Sequence, residues 1–445
     1  MQKSREYLKF LFIGFCSFLI VWFLPLIPLK IKHDINDLPA WYVYSLSRKS
    51  LKPLKFVAIA IDEDSLSRSP ERWPWKRSVY SRMLKILDSE KVNTVGIDFA
   101  FVGEAEDKQD DISLKETLQN ASCRTVLAYF FDAKKQVPVF PLEALKNAAY
   151  SIGLVNTPQD KDNKARRLRG YVAQGQDIYY SFTVQLSAAF LGKTPKEINS
   201  ILPLSADGTF TINYSLQPKD VIRVSFYDVL ENLDKLKEKY GRDFLKGSLT
   251  LIYPEAGIFH DLQATPLGRM PGGFLHLNGA ANIISGSFLK EFGFLAYLFC
   301  ALSFAAITCI LLYSGFLYGL LFSLGLAFGE FWVLILLNLK GVKFDYAAVF
   351  FFNLIFFSAG SVYKYGYFLA QLLKIKGKAT LDPLRNLYTI RYFYYRLELA
   401  LKKIYFYRDS FVILIYLESF AANTDGFALD KTRQLWQEIS GIISS

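Results

Sequence analysis

The sequence contains little cysteine, and what it has cannot cross-link the long polar region of the chain. There are 4 cysteines among 445 residues. Cys16, Cys300 and Cys309 lie in apolar runs, which leaves Cys123 alone in the polar region. An internal disulfide is therefore excluded there. This shortage neither requires nor excludes an oxidising compartment.

Histidine is also scarce, and the sequence shows no metal or nucleotide motif. The three histidines, His33, His260 and His276, are scattered, and none stands at zinc-site spacing from a pair of cysteines. We interpret each as a structural histidine and predict no metal and no cofactor. The chain has no phosphate-binding G-x-x-x-x-G-K-[ST] loop, no G-x-S-x-G nucleophile turn and no protein-kinase signature. The corresponding enzyme classes are not indicated.

The positive charge of the chain is not gathered in one place. The net charge is +11, yet the basic residues stand at the flanks of apolar runs or are scattered between them. A nucleic-acid-binding protein typically concentrates them in one patch or stripe. We therefore predict no nucleic-acid partner.

Long apolar runs dominate the last third of the chain. They occupy Phe292 to Tyr313, Phe316 to Leu339 and Tyr346 to Tyr363. Each approaches the roughly 20 residues that a helix needs to cross a bilayer. We predict three transmembrane helices in segment 291–370, with the lipid bilayer as the first partner.

Segment 1–29 contains a further apolar run, which follows the basic residues Lys3 and Arg5. The run is longer than the core of a signal peptide and lacks a small-residue cleavage pattern. We interpret it as an uncleaved anchor with a cytoplasmic N-terminus, because basic residues stay inside. Four crossings then place 30–290 outside and the C-terminus inside the cell's inner (cytoplasmic) membrane.

Segment 30–290 has the pattern of an α/β domain. Short β-branched or aromatic runs predict strands at 55–62, 94–101, 125–131, 209–214 and 249–254. An amphipathic helix is predicted at 78–90. Strands that alternate with helices favour a sheet covered by helices. The fold class is therefore an α/β extracytoplasmic domain, a four-helix transmembrane region and a small α/β cytoplasmic segment.

Several motifs of this region resemble a known family. They are AIDEDS at 60–65, RWPWKR at 72–77, VGIDFAF at 95–101 and GLVNTPQDKDNKARR at 153–167. Together they resemble the type-2 CHASE domain, an extracellular sensory family associated with cyclases and histidine kinases. The resemblance implies a bacterial signalling receptor with an undefined external ligand. Gly272 and His276 keep the family's pattern, but Phe274 stands where the family has glutamate.

Four residues of these motifs are candidates for ligand binding: Asp62, Trp75, Arg77 and Asp98. Asp62 and Asp98 close predicted strands, where open α/β sheets bind ligands. The same aspartates can instead cap the next helix or turn, and the tryptophan can be a core anchor. Both interpretations remain open from the sequence.

The transmembrane block holds candidates for coupling. Glu330 is an acid inside an apolar run, where a charge is expensive, and Asn353 on the next run is a potential hydrogen-bond partner. Gly315 and Gly319 have the spacing that lets membrane helices approach closely. The alternatives are a structural Glu330 and glycines that are merely common in membrane helices. No internal repeat indicates a transporter.

Segment 371–445 resembles the opening of a GGDEF domain, the diguanylate cyclase fold. Asp382, Leu384, Leu387 and Arg391 match that family's first motif. Tyr416 stands where the family has a magnesium-binding aspartate, and a phenol does not replace that ligand. The resemblance therefore implies a degenerate, non-catalytic module. A generic helix–strand–helix appendage is the alternative.

Together these features predict a membrane receptor, a homodimer without enzymatic activity, that passes an external stimulus to a cytoplasmic signalling partner. The alternative is the N-terminal part of a diguanylate cyclase truncated by a frameshift or a gene-prediction error. An anchored structural protein is a third interpretation.

Overall fold

The computed structural model describes residues 2–23, 29–47, 55–132, 134, 137–380, 392 and 438. The predicted GGDEF-like segment lies outside these residues, apart from the helix that continues to Thr380 and the single positions Tyr392 and Glu438. The helices are α1 (Gln2–Phe23), α2 (Leu29–Ser47), α3 (Glu63–Arg68), α4 (Arg77–Ser89), α5 (Lys108–Asn120), α6 (Glu143–Ala148), α7 (Phe182–Leu191), α8 (Pro195–Ile201), α9 (Phe226–Glu231), α10 (Leu233–Tyr240), α11 (Gly272–Ser285), α12 (Gly293–Tyr313), α13 (Phe316–Leu339) and α14 (Tyr346–Thr380). The strands are β1 (Phe56–Ile61), β2 (Thr94–Ile97), β3 (Arg124–Asp132), β4 (Val137–Val139), β5 (Ser151–Leu154), β6 (Arg167–Arg169), β7 (Tyr171–Gln174), β8 (Asp177–Tyr180), β9 (Thr209–Thr211), β10 (Ile222–Ser225), β11 (Leu249–Pro254), β12 (Leu262–Thr265), β13 (Gly268–Pro271), β14 (Lys290–Glu291) and β15 (Val342–Lys343).

A seven-stranded sheet organises the region between α2 and α12. Its strand order is β10-β1-β11-β2-β3-β4, and β5 also pairs with β3. All pairs are parallel except β3 with β4. In the register of the central strands, Phe56 lies opposite Leu249, and Leu249 opposite Thr94. The carboxyl ends of β1, β2, β10 and β11 therefore share one edge.

Helices cover both faces of this sheet, which explains why its strands are continuous apolar runs. All six residues of β1 are buried. Phe56, Ala58 and Ala60 belong to a core shared with α7, α8 and α11. Val57, Ile59 and Ile61 belong to a second core shared with α4, α5, α9 and α10. The predicted α/β class is thus confirmed.

Gly153 in β5 marks the tightest approach of α7 to the sheet. A Cβ atom at this position would lie 2.4 Å from Phe182 Cα, which is backbone and cannot turn aside. We expect Gly153→Ala to lower the free energy of unfolding by about 1–3 kcal/mol, because overpacking shifts the backbone. Denaturant unfolding of the detergent-solubilised chain, followed by circular dichroism, measures this loss.

Gly257 offers a matched control for that substitution. The nearest atom to a Cβ there is the flexible Glu63 Oε1 at 3.4 Å. Gly257→Ala should change stability by less than about 0.5 kcal/mol. Equal losses in the two variants would contradict the packing that we describe around Gly153.

Two elements of the sheet region differ from the sequence prediction. The run at 209–214 was expected as a strand of the sheet, but only Thr209–Thr211 is extended, and it pairs with β6 away from the sheet. The outermost strand, which pairs with β1, is instead β10, and it was not predicted. This strand is only four residues long and contains Arg223, so its apolar pattern is weak.

Three helices are long and apolar enough to cross a membrane: Gly293–Tyr313, Phe316–Leu339 and Tyr346–Ala370. The three apolar runs are thus confirmed as helices of membrane-crossing length. In α1 the apolar stretch is shorter, Leu8–Trp22, so the N-terminal crossing stays a prediction. The helix α2 was not predicted as a separate element, and it contains Pro39.

The described residues form two compact units. One contains residues 15–306 and 321–354, and therefore the sheet region, α2 and part of the apolar helices. The other contains the described residues up to 14, 307–320 and those from 355 onward. In this second unit, Phe10 packs edge-on against Tyr363, and Lys364 Nζ donates to the carbonyl oxygens of Leu311 and Ser314.

Candidate functional site

The carboxyl edge of the sheet gathers two of the four predicted ligand residues. Asp62 directly follows β1, and Asp98 directly follows β2. Glu255 follows β11 between them, and Arg223 lies in the neighbouring β10. Polar side chains at this edge of a parallel sheet stand where α/β proteins bind ligands.

Asp62 is held by its neighbours. Its Oδ1 accepts hydrogen bonds from the Ser65 backbone N–H at 2.9 Å, the Ser65 hydroxyl at 2.7 Å and the Ser225 hydroxyl at 2.9 Å. Its Oδ2 pairs with Arg223 Nη2 at 3.2 Å, and Arg223 Nε pairs with Glu255 at 2.8 Å. Burial alone would raise the pKa of Asp62, but the two serines and Arg223 hold that pKa below its ordinary value. The carboxylate therefore caps α3 and has its charge balanced.

Asp98 has a different environment. Its side chain is 7% exposed, and its Oδ1 lies 4.0 Å from His276 Nε2. Burial, together with the charge of Asp261, raises the pKa of Asp98 well above its ordinary value. Burial lowers the pKa of His276 to about 4, so the imidazole is neutral at physiological pH. The His276 Nδ1 atom lies 2.9 Å from the hydroxyl oxygen of Thr183.

The other two predicted residues pack against segments that follow β10 and β2. Trp75 is buried and packs against Phe226 and Tyr227, with ring centroids 5.0 and 5.3 Å away. Arg77 is buried at the start of α4, where it pairs with Asp111 and donates to the Gly103 carbonyl at 2.6 Å. No hydrogen bond, ion pair or ring contact joins any two of the four among the described residues. Their roles in ligand binding stay predictions.

A second polar cluster joins α2 to the loop before β6. Arg166 donates to Asp37, Asp160 and Asp162 over 2.7–2.9 Å. Lys164 Nζ lies 2.7 Å from Asp34 and 3.0 Å from Asp37. We call this set the α2 clasp; its members are His33, Asp34, Asp37, Asp160, Asp162, Lys164 and Arg166.

The α2 clasp contains a group with metal-ligand geometry, since ligand atoms of His33, Asp160 and Asp162 lie within 4.8 Å of one another. However, Arg166 Nη1 lies 2.9 and 2.8 Å from the two carboxylates and 3.4 Å from His33 Nδ1. The guanidinium group therefore occupies the position that a metal ion would take. The charge of this acidic pocket is balanced from within the chain.

The α2 clasp makes stability depend on pH in the acid range. Hydrogen bonds from Arg166 hold the pKa of Asp162 well below its ordinary value of 3.8. A carboxyl group with a depressed pKa stabilises the fold above its unfolded-state pKa, and this contribution is lost as pH falls through the folded-state value. We expect the melting temperature to drop between pH 5 and pH 2, and Asp162→Asn to reduce that drop.

Differential scanning fluorimetry over that pH range measures the effect. Asp177→Asn, at an exposed position in β8, serves as the control and should leave the pH dependence unchanged. An identical pH dependence in the original chain and in Asp162→Asn would contradict the role given to this carboxylate.

The 153–167 motif was identified in the sequence, but its partners on α2 were not predicted. His33, Asp34 and Asp37 stand at helical spacing on α2, and this charged face was the signal that could have revealed them. His276 was interpreted as structural because the three histidines are scattered along the sequence. Only the sheet topology brings β2 beside the loop that precedes α11.

The predicted coupling residues lie in the apolar helices. Glu330 is buried and accepts hydrogen bonds from Ser303 on α12, at 2.5 Å, and from Asn353 on α14, at 2.7 Å. A Cβ atom at Gly319 would lie 3.3 Å from the Phe357 ring, so the glycine lets this ring pack closely. A Cβ atom at Gly315 would have no neighbour within 4 Å. Glu330 thus connects three helices. Its role in coupling stays a prediction.

Comparison with models of protein families identifies the family of the region that contains both polar clusters. A model of the CHASE2 domain matches residues 15–316, more than half of the chain. No curated protein and no solved structure matches the chain. CHASE2 is a family of extracellular sensor domains, and in this chain the match overlaps α12, a helix able to cross a membrane. The chain therefore belongs to the CHASE2 domain family.

Proposed function

We propose that the protein is a receptor of the inner (cytoplasmic) membrane whose external domain senses a stimulus and passes it to the membrane helices through α2. Membership of a sensory family and three helices able to cross a membrane support this function. The receptor acts as a homodimer and signals to a cytoplasmic partner by contacts, without catalysis. Conversion of GTP into a cyclic dinucleotide by the purified chain would contradict the last point.

One observation carries the proposal: α2 binds the sensor and the outer ends of the apolar helices at the same time. The α2 clasp attaches it to the loop before β6. On the other side, Lys32 pairs with Asp345 at 2.6 Å, and Asn36 donates to Asp345 at 3.0 Å. The Asn36 side-chain oxygen accepts the backbone N–H of Ala347 at 2.9 Å. A movement of the sensor loop therefore pulls on the connection between α13 and α14.

A second link runs beside α2. Glu291, at the end of the sensor, accepts a hydrogen bond from Thr211 at 3.1 Å and lies 3.4 Å from Lys343. The strands β14 and β15 also pair in parallel at this point. Two independent connections between the sensor and the α13–α14 loop support mechanical coupling. Glu330, which joins α12, α13 and α14, is the proposed element that responds.

We further propose that α1 is a fourth crossing, so that both termini are cytoplasmic. Its packing supports this, because an aromatic residue in the first half of α1 and another near its C-terminal end contact the apolar helices. Phe10 packs against Tyr363 in one unit, and Trp22 stacks on Tyr297 at 4.6 Å in the other. The domain limits remain those proposed from the sequence: anchor 1–29, sensor 30–290, three crossings in 291–370 and a cytoplasmic segment 371–445.

Cysteine labelling tests this layout. In a chain whose native cysteines are replaced by serine or alanine, single cysteines are placed at Lys161, which is exposed in the sensor, at Lys378 and at Gln2. A membrane-impermeant maleimide should label position 161 in spheroplasts, and the other two only after the membrane is disrupted. Labelling of position 378 in intact spheroplasts would overturn the orientation. Labelling of position 2 alone would overturn only the N-terminal crossing.

A further inference from the structure

One side of α2 is apolar and exposed. Its members are Ile31, Leu38, Trp41, Tyr42 and Leu46, which are between 39% and 58% exposed. We call this set the α2 stripe. Steps of seven, four and four residues along the helix, from 31 through 38 and 42 to 46, place these positions on one face. An exposed apolar patch of this kind marks contact with a membrane or another protein.

The opposite side of α2 is already occupied by the sensor. Asp37 pairs with Arg166 at 2.7 Å, and the Tyr44 hydroxyl donates to Asp220 at 2.6 Å. Val43 and Tyr44 are buried. These contacts fix the rotation of the helix about its axis. The α2 stripe therefore points away from the sensor core.

The α2 stripe continues directly into the exposed surface of α13. The ring of Tyr42 packs against Phe331 and Trp332, with centroids 5.7 and 6.2 Å away. On α13, Phe328, Trp332 and Leu336 follow one another at intervals of four residues, and all three are exposed. Since α13 is long and apolar enough to cross a membrane, this face is the one that meets lipid. The two helices thus present one continuous apolar surface.

The contact lies at the depth where a membrane meets water. Tyr346, the first residue of α14, packs against the same Phe331 ring at 5.9 Å, so Tyr42 is level with the start of α14. Beyond Trp332, α13 continues for seven residues, about 10 Å. Tryptophan and tyrosine are enriched at this level of a bilayer, and the α2 stripe contains both, in Trp41 and Tyr42.

We propose that α2 lies in the membrane–water interface, with the α2 stripe inserted among the headgroups and upper acyl chains of the lipids. A helix with one polar and one apolar side is suited to this position. Its polar side remains attached to the sensor through the α2 clasp. The continuity with the lipid-facing surface of α13 favours lipid over a second copy of the chain. The inference rests on α13 crossing the bilayer and holds whichever side the sensor faces.

Spin labelling of the full chain tests the proposal. In a chain whose native cysteines are replaced, a nitroxide is attached to Leu38→Cys or Leu46→Cys, and the protein is placed in nanodiscs of phosphatidylethanolamine and phosphatidylglycerol. Lys161→Cys, exposed in the sensor, is the water reference, and Leu324→Cys, exposed on α13, is the lipid reference. Power-saturation electron paramagnetic resonance measures the accessibility of each label to oxygen and to a water-soluble nickel chelate.

We expect the ratio of oxygen to nickel accessibility at positions 38 and 46 to exceed that at 161 by about threefold or more, because oxygen favours apolar surroundings and the chelate favours water. Circular dichroism verifies folding, and Trp41→Cys replaces any variant that does not fold. Accessibility to nickel equal to that at 161 would overturn the proposal. So would low accessibility to both reagents, which would show a second copy covering the α2 stripe. Loss of the lipid signal at 324 as well would contradict the crossing by α13 itself.

Discussion

Replacing Arg166 by methionine should lower the free energy of unfolding by about 3–5 kcal/mol, because breaking a buried ion pair leaves its partner charges unbalanced. Arg166 is 8% exposed and donates to both oxygens of Asp37 and of Asp162. Asp160 loses a partner as well. Methionine keeps most of the volume of the side chain, so the effect reports the lost charge rather than a cavity.

Arg167 provides the matched control for this substitution. It is the next residue, carries the same charge and pairs with Asp160 and Asp207, but its side chain is 37% exposed. Exposed ion pairs contribute about 0–1 kcal/mol, so Arg167→Met should have a small effect. Urea unfolding of the detergent-solubilised chain, followed by tryptophan fluorescence, compares the two variants. Equal losses would show that the α2 clasp is not a buried network.

Replacing Arg77 by methionine should cost about 3–5 kcal/mol for the same physical reason. Arg77 and Asp111 are both 8% exposed and pair directly. Asp111 also accepts the backbone N–H of Ala105 at 3.0 Å, and Arg77 donates to the Gly103 carbonyl. The pair therefore fixes the loop after β2 to the start of α4. The same urea titration measures the loss.

The neighbouring Lys76 serves as the control for Arg77. Its side chain is 63% exposed, and its ion pair with Glu71 is 3.8 Å long. Lys76→Met should therefore change stability by less than about 1 kcal/mol. If Arg77→Met also cost less than about 1 kcal/mol, the structural role would be wrong, and the ligand contact expected from the sequence would be favoured.

Much of the fold could be predicted because single elements carry strong local patterns. The continuous apolar run of β1 and the amphipathic pattern of α4 were both predicted and both found. The three apolar helices were also identified, because a long apolar run needs no tertiary context. Asp62 and Asp98 were correctly placed at the ends of strands.

The features that were not predicted from the sequence depend on contacts between segments that are distant in the chain. The strand β10 is defined by its pairing with β1, which lies 161 residues or more away, and not by its own short sequence. The α2 clasp joins residues more than 120 positions apart. The contact of Asp98 with His276 requires the sheet order β11-β2 to exist first. No local pattern encodes such pairs.

The backbone amide of Ala347 offers the most direct test of coupling through α2. This N–H donates to Asn36 of α2, at the start of α14, and is remote in sequence from Arg166. Hydrogen–deuterium exchange of the chain in lipid nanodiscs, resolved to single amides, should show at least tenfold faster exchange of Ala347 in Arg166→Met than in Arg167→Met. Unchanged exchange at Ala347, with α2 itself exchanging faster in Arg166→Met, would contradict coupling of the sensor to the membrane helices through α2.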